Sequence, residues 1–212
     1  GKSYLGFGMQ TGYYSNFIDY QYLSFDENFE GGSTTENFAY NQLGFLDVGA
    51  GIDWNYIPSK DMNFNAGFTM SHINEPMQTF MDDITSHLPR KYLWHAGAML
   101  PCGGMAAIYP RISYSAQGPH QELVFGSFGK FAMDKRANQE KSVYFGILDR
   151  WKDAVILMAR MDINEVSISF AYDVNYSKLA KASNGQGGPE LAIQYIGDIP
   201  SLKKNKVFCP KF

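Results

Sequence analysis

The sequence predicts an all-β fold: a transmembrane antiparallel β-barrel, about ten strands of which lie in this chain. Three observations predict it. Apolar residues recur at every second position over long segments, the period of a strand with two unlike faces. The segments run to about 10–14 residues, well past the ~5–6 of a usual globular strand. The composition is aromatic, at 16%, and poor in charge, at 18%, against an ordinary charged fraction of about 25%. A soluble sandwich also alternates. Strand length, and aromatics near the ends of the apolar faces, favour the membrane.

The elements follow in order. Segment 3–16 sets Leu5, Phe7, Met9 and Tyr13 against Gly6, Gly8, Gln10 and Gly12. Segment 44–57 sets Leu46, Val48, Ala50, Ile52, Trp54 and Tyr56 against Asp47, Gly49, Gly51, Asp53 and Asn55. In 62–73, Phe64, Ala66, Phe68 and Met70 oppose Asn63, Asn65, Gly67 and Thr69. Strands at 91–100, 105–116, 121–132, 142–149 and 154–161 come next, with Ile108, Pro110, Ile112 and Tyr114 set against Arg111, Ser113 and Ser115. Segment 165–176 sets Val166, Ile168, Phe170, Tyr172 and Val174 against Ser167, Ser169, Ala171 and Asp173, and a strand at 189–197 ends the series. No helical segment of weight, fixed repeat or low-complexity linker interrupts it, so one domain is expected.

The connections order the ends of the sheet. The long ones, 17–43, 74–90 and 177–188, all fall on one side. Short ones, 58–61, 101–104 and 162–164, fall on the other. The alternation is imperfect: 117–120 and 150–153 are short on the long side, and 133–141 is longer than its side requires. Outer-membrane barrels place long loops outside the cell and short turns in the periplasm. On that rule residues 1–197 belong to an outer-membrane barrel, with the long loops extracellular, and 198–212 form a periplasmic tail.

Several classes are argued against. A net charge of −3 and a pI near 5.8 give no basic field for nucleic acid. The longest aliphatic run, Ala154 to Ala159, is far short of the ~20 residues of a spanning helix. The chain begins at Gly1 inside a strand pattern, which reads as a truncated, processed or unobserved start. Cys102 and Cys209 match no zinc or redox spacing. Both fall on the periplasmic side, where a disulfide between them is one reading and two separate thiols the other.

No catalytic pattern assembles in the sequence. Ser71 and His72 are adjacent, so in a strand they face opposite ways. No G-x-S-x-G turn is present. His72, His87, His95 and His120 are scattered. Loop carboxylates Asp26, Glu27, Glu30, Asp82 and Asp83 lack EF-hand spacing and read as a solvated acidic face. The Gly6-x-Gly8 and Gly49-x-Gly51 pairs precede no helix and read as room on a crowded face. Asp47 and Asp53 share one strand face about 20 Å apart, too far for a glycosidase pair. No enzyme and no cofactor is expected.

The loops and the tail carry binding features instead. Loop 17–43 holds Tyr20, Tyr22, Phe25, Phe29, Phe38 and Tyr40, and loop 74–90 holds Met77, Phe80 and Met81. Exposed apolar clusters mark binding surfaces; the other reading is loops folded inward as a plug. Tyr20, Tyr22, Phe25, Phe29, Phe80 and Met81 are the candidate partner-binding residues outside. Lys203, Lys204 and Lys206 of the tail are candidates for docking a periplasmic partner, or simply a solvated end.

A resemblance narrows this. Segment 171–188, AYDVNYSKLAKASNGQGG, then PELAIQYIG and a tail ending CPKF, closely resembles the C-terminus of the PorP/SprF family. That family often ends Cys-Pro-Arg-Phe; Lys211 stands here instead of the Arg. FNAGFTMSHINEP at 64–76 and LPRKYLWHAG at 88–97 are similar to two further stretches of the family. The resemblance implies an outer-membrane barrel of the type IX secretion and gliding system, with roughly fourteen strands when complete, the missing four preceding Gly1. It also implies other type IX components as partners. Its role would be to bind and anchor, or help export, a secreted surface protein such as an adhesin through its C-terminal domain. The alternatives are a porin or small-molecule transporter, motivated by the polar face, and a soluble glycan-binding sandwich.

Overall fold

A computed structural model describes residues 1–19, 40–80, 85–136, 139–178 and 180–197, with the backbone alone described at 134–136, 139 and 140. The strands are β1 (Lys2–Phe17), β2 (Gln42–Ser59), β3 (Met62–Ser71), β4 (Lys91–Pro101), β5 (Ala106–Gln117), β6 (His120–Arg136), β7 (Gln139–Arg150), β8 (Ala154–Ile163), β9 (Val166–Asn175) and β10 (Gln186–Tyr195). They form one ten-stranded sheet in chain order, every pair antiparallel. One helical turn, α1 (Ala180–Ser183), sits between β9 and β10. A single meander is not a sandwich, so the soluble two-sheet alternative falls.

All ten expected strands form, with most bounds differing from expectation by one to four residues, and the differences at β3 and at β6–β7 have local physical reasons. β3 stops at Ser71 because His72 turns to φ 57°. β6 and β7 continue through the expected 133–141 connection: a bulge between Ala132 and Asp134 keeps them paired out to Arg136 and Gln139. Only residues 137–138 lie between the two strands. Every even-numbered connection is now short, at 60–61, 102–105, 137–138 and 164–165. The long ones, 18–41, 72–90 and 176–185, share the opposite end with 118–119 and 151–153.

The register aligns like with like. Phe7, Ile52, Phe68, Trp94 and Tyr114 form one row across five strands on the apolar face. Gly6, Asp53, Gly67, His95 and Ser113 form a row on the polar face. A slip of one residue would exchange the faces, so this patterning fixes the pairing.

The described residues have no packed interior. In the strands, Ala154 and Ala171 are the buried hydrophobic residues among those described. The large apolar side chains lie bare on one face: Phe7 is 80% exposed, Leu191 70% and Ile193 71%. Fully burying such a side chain contributes about 1.5–3 kcal/mol, so this face calls for a non-aqueous partner. Aromatics cluster on it. Trp94 lies 5.6 Å from Tyr114 and 5.1 Å from Phe68. Trp54, two residues along β2 from the Ile52 row, stacks on Tyr56 at 6.0 Å, with its indole N–H donating to Ser3 at 2.8 Å.

Two features depart from a closed cylinder. β1 pairs only with β2 and β10 only with β9, so the described sheet is open where a closed barrel was expected. β2 also runs beyond the last register partner of β3. From Gln42 to Val48 its only strand partner is β1, and Tyr14 stacks on Phe45 at 5.5 Å across this two-stranded ribbon.

Candidate functional site

The long-connection end is an ordered rim, built largely by the residues just past β3. The turn at His72 brings its Nδ1 to 2.9 Å from the Asp47 carboxylate. The Ile73 N–H then donates to the Val48 carbonyl at 2.9 Å. The side-chain amide of Asn74 accepts the Val48 N–H at 3.1 Å and donates to the Leu46 carbonyl at 2.7 Å. One side chain thus completes the β2 ladder after β3 has ended, which satisfies backbone groups that would otherwise lack partners. Arg90 closes the far end of the excursion, donating to the Ile73 carbonyl at 3.1 Å and pairing with Glu75 at 3.1 Å. Inside it, Met77 bridges His87, and Leu88 N–H donates to the Pro76 carbonyl at 2.9 Å.

The two longest connections meet here. The Tyr40 N–H donates to the Phe80 carbonyl at 3.2 Å. Tyr40 and Met77 are exposed and Phe80 is half-buried.

The opposite part of the same rim carries charge. Arg150 faces three carboxylates: Asp173 at 3.1 Å, Asp153 at 3.3 Å and Glu122 at 3.7 Å. The Tyr176 hydroxyl accepts the Lys152 N–H at 2.8 Å and donates to Asp149 at 2.9 Å. Tyr176 is exposed, and desolvation first and then the hydrogen bond to Asp149 hold its phenol above its ordinary value. Exposed Trp151 lies 6.1 Å from Phe125 beside this cluster.

The polar face holds two further groups. On β2–β4, Asp53 pairs with His95 at 3.1 Å and accepts from Asn55. Gly67 makes room for that pair, since a Cβ there would strike both the His95 ring and Asp53. An open groove of about 500 Å³ runs from it along Gly6, Gly8, Gly49 and Gly51. On β5–β8, cations lie on rings. Arg111 is 5.7 Å from the Phe128 centroid, and Lys130 and Arg160 are 5.6 and 5.5 Å from that of Tyr144. Arg160 also donates to Asp162 at 2.6 Å.

Of the candidate partner-binding residues, the structure places Phe80 on the rim. Tyr20, Tyr22, Phe25, Phe29, Met81, Lys203, Lys204 and Lys206 lie outside the described residues, as do Phe38 and the carboxylates Asp26, Glu27, Glu30, Asp82 and Asp83. Cys102 is exposed in the β4–β5 turn beside Gly103 and Gly104, both at positive φ; Cys209 is outside the described residues. Asp47 and Asp53 do not meet: each is taken by its own histidine. No three metal-type side chains converge among the described residues. Sequence reasoning missed Asn74 and the cation–ring contacts. A signal for one of the latter was available: Arg111 is the single charged residue of β5.

A single open sheet with one bare apolar face, set with aromatics and carrying an ordered rim, defines a membrane β-protein. No curated protein and no solved structure matches the chain. Residues 1–195 match the family described as "Type IX secretion system membrane protein PorP/SprF", and the chain belongs to that family. Its place among type IX secretion components implies others of that system as partners.

Proposed function

We propose that this chain forms part of an outer-membrane barrel that binds and anchors, or assists the export of, a type IX-secreted surface protein through its C-terminal domain, as in an adhesin. The observation that carries the reading is the rim, where two long connections rich in aromatics come together at the Tyr40–Phe80 contact. Such surfaces serve association. Loop aromatics Tyr20, Tyr22, Phe25, Phe29, Phe80 and Met81 supply the contacts outside.

The same arrangement supports the membrane topology. The apolar face meets lipid. Both sheet edges are paired in the working molecule, because an open edge in hydrocarbon leaves backbone groups unsatisfied at several kcal/mol each. Long connections then face outward and tight turns the periplasm. The tail 198–212 lies on the periplasmic side, where Lys203, Lys204 and Lys206 dock other type IX components. The Cys102 turn faces the same side, which admits a Cys102–Cys209 bridge. Thiol titration of the denatured, unreduced protein decides between that bridge and two free thiols.

The test is gentle detergent extraction of the native protein, with mass spectrometry of what co-purifies. A stoichiometric large surface protein that is lost on deletion of 20–39, while the barrel still inserts, fits the proposal. Recovery of a lone barrel, or a complex untouched by the deletion, overturns it. A steady open conductance in planar bilayers would then favour the transport reading.

A further inference from the structure

The cations of the polar face differ in what occupies their donors. Side chains are described for four arginines: Arg90, Arg111, Arg150 and Arg160. Arg90 is taken up by Glu75 and a backbone carbonyl, Arg150 by three carboxylates, and Arg160 by Asp162 and Ser167. Arg111 has no ion pair or hydrogen bond among the described residues. It is exposed, and its contact is the face of Phe128.

That contact is constructed in layers. Gly146 lies directly beneath the ring, since any Cβ there would collide with Phe128. The ring occupies that gap, and the guanidinium lies over the ring at 5.7 Å. The Arg111 stem runs beside Gly97, where a Cβ would sit in ordinary contact with its Cγ at 3.5 Å. A glycine and a ring therefore seat one guanidinium. A ring face attracts a cation through its quadrupole without neutralising it. The planar fork keeps its charge and its donors, in the geometry that receives an oxyanion by two parallel hydrogen bonds. Tyr109, 6.1 Å from Tyr144, continues the aromatic layer to Lys130 and Arg160.

We propose that Arg111, seated on Phe128 and flanked by the Tyr144 cluster, is an oxyanion-binding site on the polar face, and that its ligand is a carboxylate of an acidic polypeptide segment. The peptide source rests on the protein-binding role proposed above; the oxyanion chemistry does not. A carboxylate accepts the Arg111 fork. Inorganic phosphate offers the same acceptor geometry from a different source.

The test uses the full protein in detergent with two probes, hexaglutamate and inorganic phosphate, measured by calorimetry at two salt concentrations. Wild type is expected to bind hexaglutamate, more weakly at high salt, and Arg111→Gln to lose about tenfold or more. Ser113→Gln, also on the polar face of β5, should leave binding unchanged. Retained heat-modifiable migration on gels shows that each variant is folded. Binding of phosphate alone, lost in Arg111→Gln, would uphold the oxyanion site and overturn the peptide ligand. No binding of either probe, or equal binding by wild type and Arg111→Gln, overturns the site. Co-purification of a surface protein is scored separately, so failure of the anchoring role is distinguishable from failure of this site.

Discussion

At the scale of the residue, Asn74 and Gly146 show how much of this wall depends on single positions. Asn74 supplies one acceptor and one donor to a strand whose neighbour has just ended. Asn74→Ala removes both, and a net hydrogen bond contributes about 1 kcal/mol. Hydrogen exchange at Val48 should accelerate several-fold, with little change in β5–β8. Gly146 is filled by a neighbour's ring. Gly146→Val should displace Phe128 and cost about 1–3 kcal/mol, read as a lower urea midpoint for folding into vesicles. Neither role is legible in sequence. A strand glycine announces close approach without naming what approaches, and whether an Asn continues a ladder depends on where the partner strand stops. The His72 and His95 pairings were hidden likewise, because the register that joins them to Asp47 and Asp53 spans 25 and 42 residues.

At the scale of the element, the alternating pattern carried nearly everything. A period of two, sustained over ten segments, sets both the strand count and the face of each residue, and the register follows because mismatch would put polar groups on the apolar side. It failed where pattern gives way to local backbone: at His72, whose positive φ ends β3, and at the β6–β7 bulge, which carries pairing through a charged stretch that reads as a loop. The assignment of faces is testable within one strand. Ile112 and Ser113 are neighbours on opposite sides of β5. Ile112→Arg should cost about 2–4 kcal/mol in folding into lipid vesicles, and Ser113→Arg under about 1 kcal/mol. Equal costs would show that the apolar face does not meet lipid.

At the scale of the whole molecule, the sheet is uneven in a way that composition could not reveal. β2 is 18 residues long and β9 only 10. The excess lies at the long-connection end, where β1 and β2 continue as a two-stranded ribbon after β3 has stopped. If the rim holds a partner, deleting 20–39 and deleting 76–88 should each abolish its capture, since the two connections touch at Tyr40 and Phe80; pull-down from detergent extracts measures both. The ribbon also acts mechanically. From Gln42 to Val48 it projects roughly 20 Å, a mast stepped into the wall at Val48, where Ile73 and Asn74 form the stay. A sideways tug at its tip is multiplied by that lever arm and arrives at three hydrogen bonds. A tug along its length is shared by the whole β1–β2 ladder. The mast therefore bears tension far better than bending, and a load hung from it would be carried best when pulled straight out from the wall.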